Sequence, residues 1–380
     1  VLESAVMRDS LITLALVAAT LVAAALCSAT VAMGQDEPQE TFVEELEVTE
    51  VLLDVLVTDG QGRVILGLGK DDFVVEEAGE PVEITGVTFY SSRELLSAPE
   101  EVERLGLGVD LVPEDRYFIL FIQDQRLRGA DTSRLLQRQL EGGREARQWV
   151  REQMLPRDWM AVVSYLKKLK VHQDFTRNLE EIDAAIGRAI QGEDPGNIWP
   201  SRRPDSEAEV SLLAGLPAGL DLRQETPTIY EGLELLARAA GAVRGRKILL
   251  FFGVGFGELA STGRWQPDRR YYPSMIQALN DNNVAVYTMD LTPLGTRHSF
   301  EESLENLAGQ TGGQIYRYFT SFTTPLEQIS DANGGYYLLS YRATHPAGET
   351  GYQKVKVSTR NKELKVKARQ GYLYGDHARR

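Results

Sequence analysis

The chain has 380 residues, of which 43% are hydrophobic and 25% are charged, so it carries enough apolar material for two or three globular modules. Its formal net charge is −14, which argues against a general nucleic-acid-binding or anionic-lipid-binding surface. The only cysteine, Cys27, lies in an apolar run near the start, so the remainder is expected to fold around a hydrophobic core without disulfides.

The first segment has the pattern of an export signal. Residues 11–33 form an apolar run that ends at small residues around Gly34, which predicts processing near that glycine. The alternative is an uncleaved anchor, because the run is long enough to span a bilayer. We therefore predict an export signal over 1–34, an acidic tether over 35–42, and a periplasmic or extracellular mature chain that is not inserted in the membrane.

Short strands are predicted next. Residues 48–57 alternate between apolar and polar side chains, and the turn sequence 59–62 separates them from another apolar triplet. This spacing predicts a small N-terminal β module over 43–92, followed by a polar linker over 93–114.

From Arg116 the pattern changes to alternating strands and helices. Residues 117–122 form an apolar run that is too short for a membrane span and is typical of a strand buried on both faces. Further strands are predicted at 159–165, 168–174, 247–252, 284–289 and 315–318, with helices at 134–153, 179–189, 229–242, 274–281, 300–308 and 324–332. The alternation predicts an α/β domain over 115–334, with a mainly parallel sheet, helices on both faces, and insertions at 192–224 and 257–273.

Residues 335–375 return to a β pattern, with strands predicted at 336–341, 352–359 and 364–368. This segment is basic, whereas the first strands are acidic. The charges either cover two solvated strand faces, or the terminal strands join the N-terminal module, where opposite charges across neighbouring strands are favourable.

Many segments of the chain resemble the von Willebrand factor type A domain, and more narrowly the bacterial VWFA-related proteins, in which an N-terminal β segment precedes the A domain. The matching stretches include VLLDVLVTDGQGRVILGLGKDDFVVEEAGEPVEITGVTFY, DWMAVVSYLKKLKVHQDFTRNLEEIDAAI, TPTIYEGLELLARAA, RKILLFFGVGF, VAVYTMDL, LENLAGQTGGQIYRY, GGYYLLSYRATHP and KVKVSTRNKELKVKARQGYLY. The resemblance covers most of residues 43–375 and implies a Rossmann-like sheet with its binding site at the carboxyl edge.

The resemblance also implies a metal-ion-dependent adhesion site at that edge. In the family, a D-x-S-x-S loop, a later threonine and a later aspartate hold a divalent cation, and a partner's carboxylate completes its shell. Asp124 matches the first position of the loop, and Thr228 matches the threonine, with Thr226 as the less favoured register.

The other positions depart from this pattern. Arg126 and Arg128 stand in place of the two serines, and Val254 stands in place of the later aspartate. A guanidinium is a poor neighbour for a cation, so we predict no cofactor and no tight metal binding. The alternative is weak Mg²⁺ binding at Asp124 and Thr228.

The arginines suggest a substitute for the metal. A guanidinium beside Asp124 could capture a partner's carboxylate directly, with two parallel hydrogen bonds. The alternative is that Arg126 or Arg128 only neutralises Asp124 or points to solvent.

The two insertions border the same edge of the predicted sheet. Loops of this length inside a compact domain are either functional or disordered, and Trp, Tyr and Arg are enriched in interface hot spots. The candidate contact residues in the insertions are Trp199, Arg264, Trp265, Arg269 and Tyr271. The alternative is that these aromatic side chains pack back onto the domain.

An enzymatic function is the weaker hypothesis. The glycine-rich residues 253–257 follow a predicted strand, but they lack the third glycine of a dinucleotide motif and are followed by no Walker lysine. We therefore predict an exported, non-catalytic binding protein whose partner is a protein with an acidic contact residue. A further alternative is an assembly scaffold without a discrete site.

Overall fold

A computed structural model describes residues 50–91, 111–113, 115–126, 132–193, 210–217, 219–293, 298–344 and 350–375. The predicted export signal, the tether, most of the linker, and the site candidates Arg128 and Trp199 lie outside these residues. No helix among the residues described is both long and apolar enough to cross a membrane.

The strands are short and run through most of the described chain. They are β1 (Glu50–Thr58), β2 (Phe73–Glu77), β3 (Glu80–Val82), β4 (Ile84–Ser91), β5 (Leu111–Pro113), β6 (Arg116–Gln123), β7 (Asp158–Tyr165), β8 (Leu169–Thr176), β9 (Lys247–Gly253), β10 (Glu258–Leu259), β11 (Trp265–Gln266), β12 (Val284–Asp290), β13 (Ile315–Tyr316), β14 (Gly335–Arg342), β15 (Gly351–Thr359), β16 (Lys365–Lys367) and β17 (Gly371–Tyr374).

The central sheet has the strand order β13-β12-β9-β6-β7-β8. Its strands are parallel, except that β8 runs antiparallel to β7. Counted along the chain this is the doubly wound order 3-2-1-4-5-6. The prediction of a mixed α/β fold with a mainly parallel sheet is confirmed, and the order reverses between β6 and β9.

The helices cover both faces of this sheet. They are α1 (Thr132–Gln153), α2 (Leu179–Gln191), α3 (Leu220–Glu225), α4 (Ile229–Ala240), α5 (Tyr272–Asp281), α6 (Glu301–Gln310) and α7 (Thr323–Ala332). Alternate residues of β6 enter two separate cores, one with α4, α5 and α6 and one with α1, α2 and α7. Phe121 stacks on Phe251 in the first core at 5.1 Å between ring centroids, and Phe118 meets the edge of Trp149 in the second at 5.3 Å. Every residue of β6 is buried, as predicted.

Strands from the two ends of the described chain pair with each other. One sheet has the order β16-β1-β14-β4-β5, and another has the order β17-β15-β2-β3. Both sheets contribute to one apolar cluster, in which the ring of Tyr337 lies 5.1 Å from that of Phe73 and 4.7 Å from that of Phe89.

A buried carboxylate joins these strands. Glu77 at the end of β2 is fully buried and accepts hydrogen bonds from the hydroxyls of Tyr341 (2.9 Å) and Tyr372 (2.5 Å) and from the backbone amide (2.7 Å) and the hydroxyl of Thr344. Burial by itself would raise the pKa of Glu77, but these hydrogen bonds outweigh it and lower the pKa below its ordinary value of 4.5. The carboxylate therefore stays charged while it holds three strands together.

Candidate functional site

The carboxyl edge of the central sheet, here called the rim, is closed by a glutamine at the point where the strand order reverses. Gln123 donates to the carbonyl of Gly255 (2.8 Å) and accepts from the amide of Val254 (2.9 Å). A Cβ at Gly253 would collide with the Gln123 side chain, so the strand needs glycine there. In doubly wound folds this crevice is where ligands bind, and in this chain a side chain fills part of it.

Asp124 stands at the rim, directly after β6. Its backbone amide donates to the carbonyl of Tyr165 at the end of β7 (3.0 Å), and its side chain is only 2% exposed. One carboxylate oxygen accepts from the backbone amide of Arg126 (3.1 Å), and the other pairs with the Arg126 guanidinium (2.9 Å). The carboxylate is therefore already neutralised from within the chain.

The Arg126 guanidinium points inward. Besides Asp124 it binds the carbonyl of Ile190 in the last turn of α2 (2.9 Å), a carbonyl that also accepts from the Gln139 side chain (3.0 Å). Gln139 in turn accepts from the backbone amide of Gln125, which ties the loop to α1 (3.0 Å). These contacts agree with the alternative in which Arg126 neutralises Asp124. To capture a partner's carboxylate, the guanidinium would have to break its hydrogen bonds to Asp124 and to the carbonyl of Ile190.

Thr228 and Thr226 both have structural roles. Thr228 is the N-cap of α4: its hydroxyl accepts from the amide of Glu231 (3.3 Å) and donates to the Glu231 carboxylate (2.8 Å). Thr226 is fully buried and holds the amide of Leu169 (3.1 Å). The hydroxyl of Tyr165 donates to the carbonyl of Pro227 (3.0 Å), so the threonine loop is attached beside the Asp124 loop.

The donor set at the rim is poor for a hard cation. The Asp124 carboxylate is paired with a guanidinium, the Thr228 hydroxyl is bonded to Glu231, and Val254 contributes a buried apolar side chain that is 4% exposed. Mg²⁺ and Ca²⁺ require several free oxygen ligands. In the described part of the chain, no three side chains of His, Cys, Asp or Glu are grouped closely enough to share a metal ion.

The glycine loop 253–257 is bonded to side chains. The amide of Val254 is taken by Gln123, and the amide of Phe256 donates to Ser303 (3.1 Å). Gly255 has φ +84°, and a Cβ at this position would collide with the Ser303 hydroxyl. Two amides that a bound phosphate would need are therefore occupied, and the glycine at 255 serves turn geometry.

The insertion 257–273 folds into a hairpin of β10 and β11 that leads into α5. Trp265 donates to the carbonyl of Phe256 (2.8 Å) and packs edge-on against Tyr272, with centroids 5.7 Å apart. Tyr271 stacks on Tyr230 at 6.2 Å. These two candidate aromatic residues therefore pack partly back onto the domain, and the hairpin is anchored by its apolar side chains.

The arginines of the hairpin point outward. The Arg264 side chain is 77% exposed and lies 3.6 Å from the Glu302 carboxylate. Arg269 is exposed, and its side chain makes no hydrogen bond or ion pair within the described residues. We call Arg264, Arg269 and the half-buried Tyr271 the hairpin patch.

Sequence reasoning missed three contributors to the rim. Gln123 and Gln139 are buried although they are polar. A polar residue that interrupts an apolar pattern is the sequence signal that could have identified them. Asp290 at the end of β12 is buried and pairs with His298 at 3.0 Å, and the signal there is an acid that directly ends a buried strand.

Among known proteins, only solved structures are found to be similar to this chain. No protein-family model matches the chain, and no curated protein matches it. Solved structures to which it is similar include the von Willebrand factor type A protein from Catenulispora acidiphila (8% identity, 83% of this chain and 71% of that one, TM-score 0.38) and BatB from Bacteroides thetaiotaomicron (13%, 58% and 97%, TM-score 0.36). The von Willebrand domain of the pilus tip protein Mfa5 from Porphyromonas gingivalis is also similar (11%, 58% and 96%, TM-score 0.36). Von Willebrand A-type domains are the family that the sequence resembles.

Proposed function

We propose that this chain is an exported, non-catalytic binding protein that recognises an acidic surface of a partner protein at the rim without using a metal ion. The observation that supports this most directly is the pair formed by Asp124 and Arg126, in which a guanidinium occupies the charge role that the family gives to a cation. The terminal strands form a β module that supports the A-type domain, and the chain acts in the periplasm or outside the cell.

The hairpin patch provides the contact surface in this proposal. Arg126 is engaged in holding Asp124, whereas Arg264 and Arg269 extend from a hairpin that Trp265 fixes to the domain. Guanidinium groups bind carboxylates with two parallel hydrogen bonds, and Tyr271 adds an amphipathic surface beside them. A hairpin that is anchored to the domain and exposes guanidinium groups thus suits a partner that presents aspartate or glutamate.

Capture from envelope extracts, in Mg²⁺ and in EDTA, tests the proposal. The double variant Arg264→Glu/Arg269→Glu should retain roughly tenfold less partner, because two attractions become repulsions, while EDTA should have no effect. Lys354→Glu/Lys362→Glu reverses the same number of exposed charges, one on β15 and one in the turn that follows it, and should retain the wild-type amount.

Two results would overturn the proposal. Loss of the partner in EDTA would favour the residual Mg²⁺ site at Asp124 and Thr228. Equal capture by the hairpin variant and the wild-type protein would favour a scaffold that binds elsewhere.

A further inference from the structure

A small cavity lies at the opposite, amino edge of the central sheet, between β1 and the starts of β9 and β12. Its polar lining residues are Asp54, Arg246, Asn280, Asn283, Thr311 and Arg369. Its volume of about 20 Å³ is enough for a water molecule or a small ion and too little for a nucleotide.

Positive charge dominates the cavity. Arg246 is 6% exposed at its side chain, lies 3.4 Å from the Asp54 carboxylate, and donates to the carbonyl of Gly312 (3.0 Å). Arg369 donates to the carbonyl of Leu52 (2.7 Å) and forms no ion pair within the described residues. Asp54 is the single carboxylate among the lining residues, against the guanidinium groups of Arg246 and Arg369, and it pairs with Arg246.

The surroundings reinforce this imbalance. Burial lowers the pKa of Arg369, with the charges of Asp54 and Asp281 acting in the opposite direction. Burial and the nearby charges of Lys365 and Arg246 also lower the pKa of Lys367 on β16. Burial also acts against the charged form of Arg246, but Tyr287 and Asp54 outweigh it and raise the pKa of that arginine.

The hydrogen-bonding capacity is unbalanced in the same direction. Three buried atoms in residues that line the cavity, namely Nε of Arg246, Nε of Arg369 and Nδ2 of Asn280, have no hydrogen-bond partner within the described residues. All three are donors. Asn280 itself is only 5% exposed. Buried donors without acceptors are rare in folded proteins, and a bound water or ion is one of the explanations for them.

We propose that this cavity binds a small inorganic oxyanion of the phosphate or sulfate class. Such an ion carries acceptors on every side and negative charge, so it fits two guanidinium forks and an amide donor. The occupant would contact β1, the end of α5 and the segment after β16, and would therefore help to fasten the terminal strands to the central sheet. This inference is independent of partner recognition at the rim.

Calorimetric titration with inorganic phosphate at constant ionic strength tests the proposal. We expect saturable binding of one phosphate by the full chain, at least roughly tenfold weaker in Arg369→Gln because one guanidinium fork is lost. Asp54→Asn should bind at least as tightly as the wild type, because it removes the competing negative charge. Arg264→Gln removes an equal charge from the hairpin patch and should leave the titration unchanged.

Thermal unfolding supplies a second measurement. Phosphate and sulfate stabilise most proteins by exclusion from the surface, an effect that wild type and variants share. The expected signal is an additional, saturating rise in Tm that Arg369→Gln lacks. Absence of saturable binding, equal binding by Arg369→Gln, or weaker binding by Asp54→Asn would each overturn the proposal.

Discussion

Replacing Arg126 by glutamine removes the positive charge that faces the buried Asp124 carboxylate. The variant loses the ion pair at 2.9 Å and the bond to the Ile190 carbonyl at 2.9 Å, while Asp124 keeps a side chain that is 2% exposed. Breaking a buried ion pair by removing one partner costs about 3–5 kcal/mol. Because the Arg126 side chain is 29% exposed, water screens part of the interaction, and we expect a loss of about 2–3 kcal/mol in the free energy of unfolding.

Urea unfolding of four proteins measures the pair. These are the wild type, Arg126→Gln, Asp124→Asn, and the double variant, and together they form a double-mutant cycle. We expect a coupling energy of about 1.5–3 kcal/mol, with the double variant more stable than Arg126→Gln, since it buries no unpaired charge. A coupling energy under about 0.5 kcal/mol would show that the two side chains do not interact in solution and would refute the argument from charge replacement.

A metal titration extends the same test. Arg126→Ser restores the hydroxyl that the family places in the metal loop, so Mg²⁺ should stabilise this variant and leave the wild-type midpoint unchanged. Asp124→Asn/Arg126→Ser is the matched control, because it has the hydroxyl without the carboxylate and should not respond. Equal stabilisation of the wild type by Mg²⁺ would contradict the view that the guanidinium takes the place of the cation.

Three further predictions concern stability. Glu77→Gln should lose about 1.5–3 kcal/mol at neutral pH in urea unfolding, because an amide cannot accept all of its hydrogen bonds. The pKa of Glu77 is lowered on folding, so its contribution to the free energy of unfolding is present above about pH 4.5 and is lost as the pH falls further. The free energy of unfolding of Glu77→Gln should therefore fall less steeply than that of the wild type below about pH 4.5. An equally steep fall in both proteins would contradict this. Thr228→Ala should cost about 1 kcal/mol through loss of the N-cap, while Thr228→Ser should retain most of the stability, and equal losses would argue against capping. Gly255→Ala should cost about 2 kcal/mol or more, because it combines a positive φ with a collision against Ser303. Gly263→Ala is the control, because Gly263 has φ +75° and no atom lies within 4 Å of the added Cβ. It should lose only about 1 kcal/mol in the same unfolding assay. Identical losses in the two variants would show that the collision with Ser303 does not contribute.

The central sheet was predictable because its signals are local. Six successive apolar residues in β6 can only be buried on both faces, and the alternation of such runs with helical patterns defines a parallel sheet. The hairpin within 257–273 was harder to predict, because its strands are two residues long and Trp265 is held by a carbonyl nine residues away.

The sequence by itself determined most of the strands and helices of the central sheet and that Asp124 ends a central strand, and it predicted that arginine and valine stand where the resembling family has oxygen ligands. Tertiary structure decided what those residues do. A guanidinium on a long side chain can reach many acceptors. The orientation of the Arg126 guanidinium is fixed in part by its hydrogen bond to a backbone carbonyl 64 residues further along the chain. Likewise Asp54 and Arg246 meet across 192 residues, which no local pattern indicates. Burial and periodicity act between neighbours in sequence, whereas the partners of buried charges are selected only when distant segments pack together.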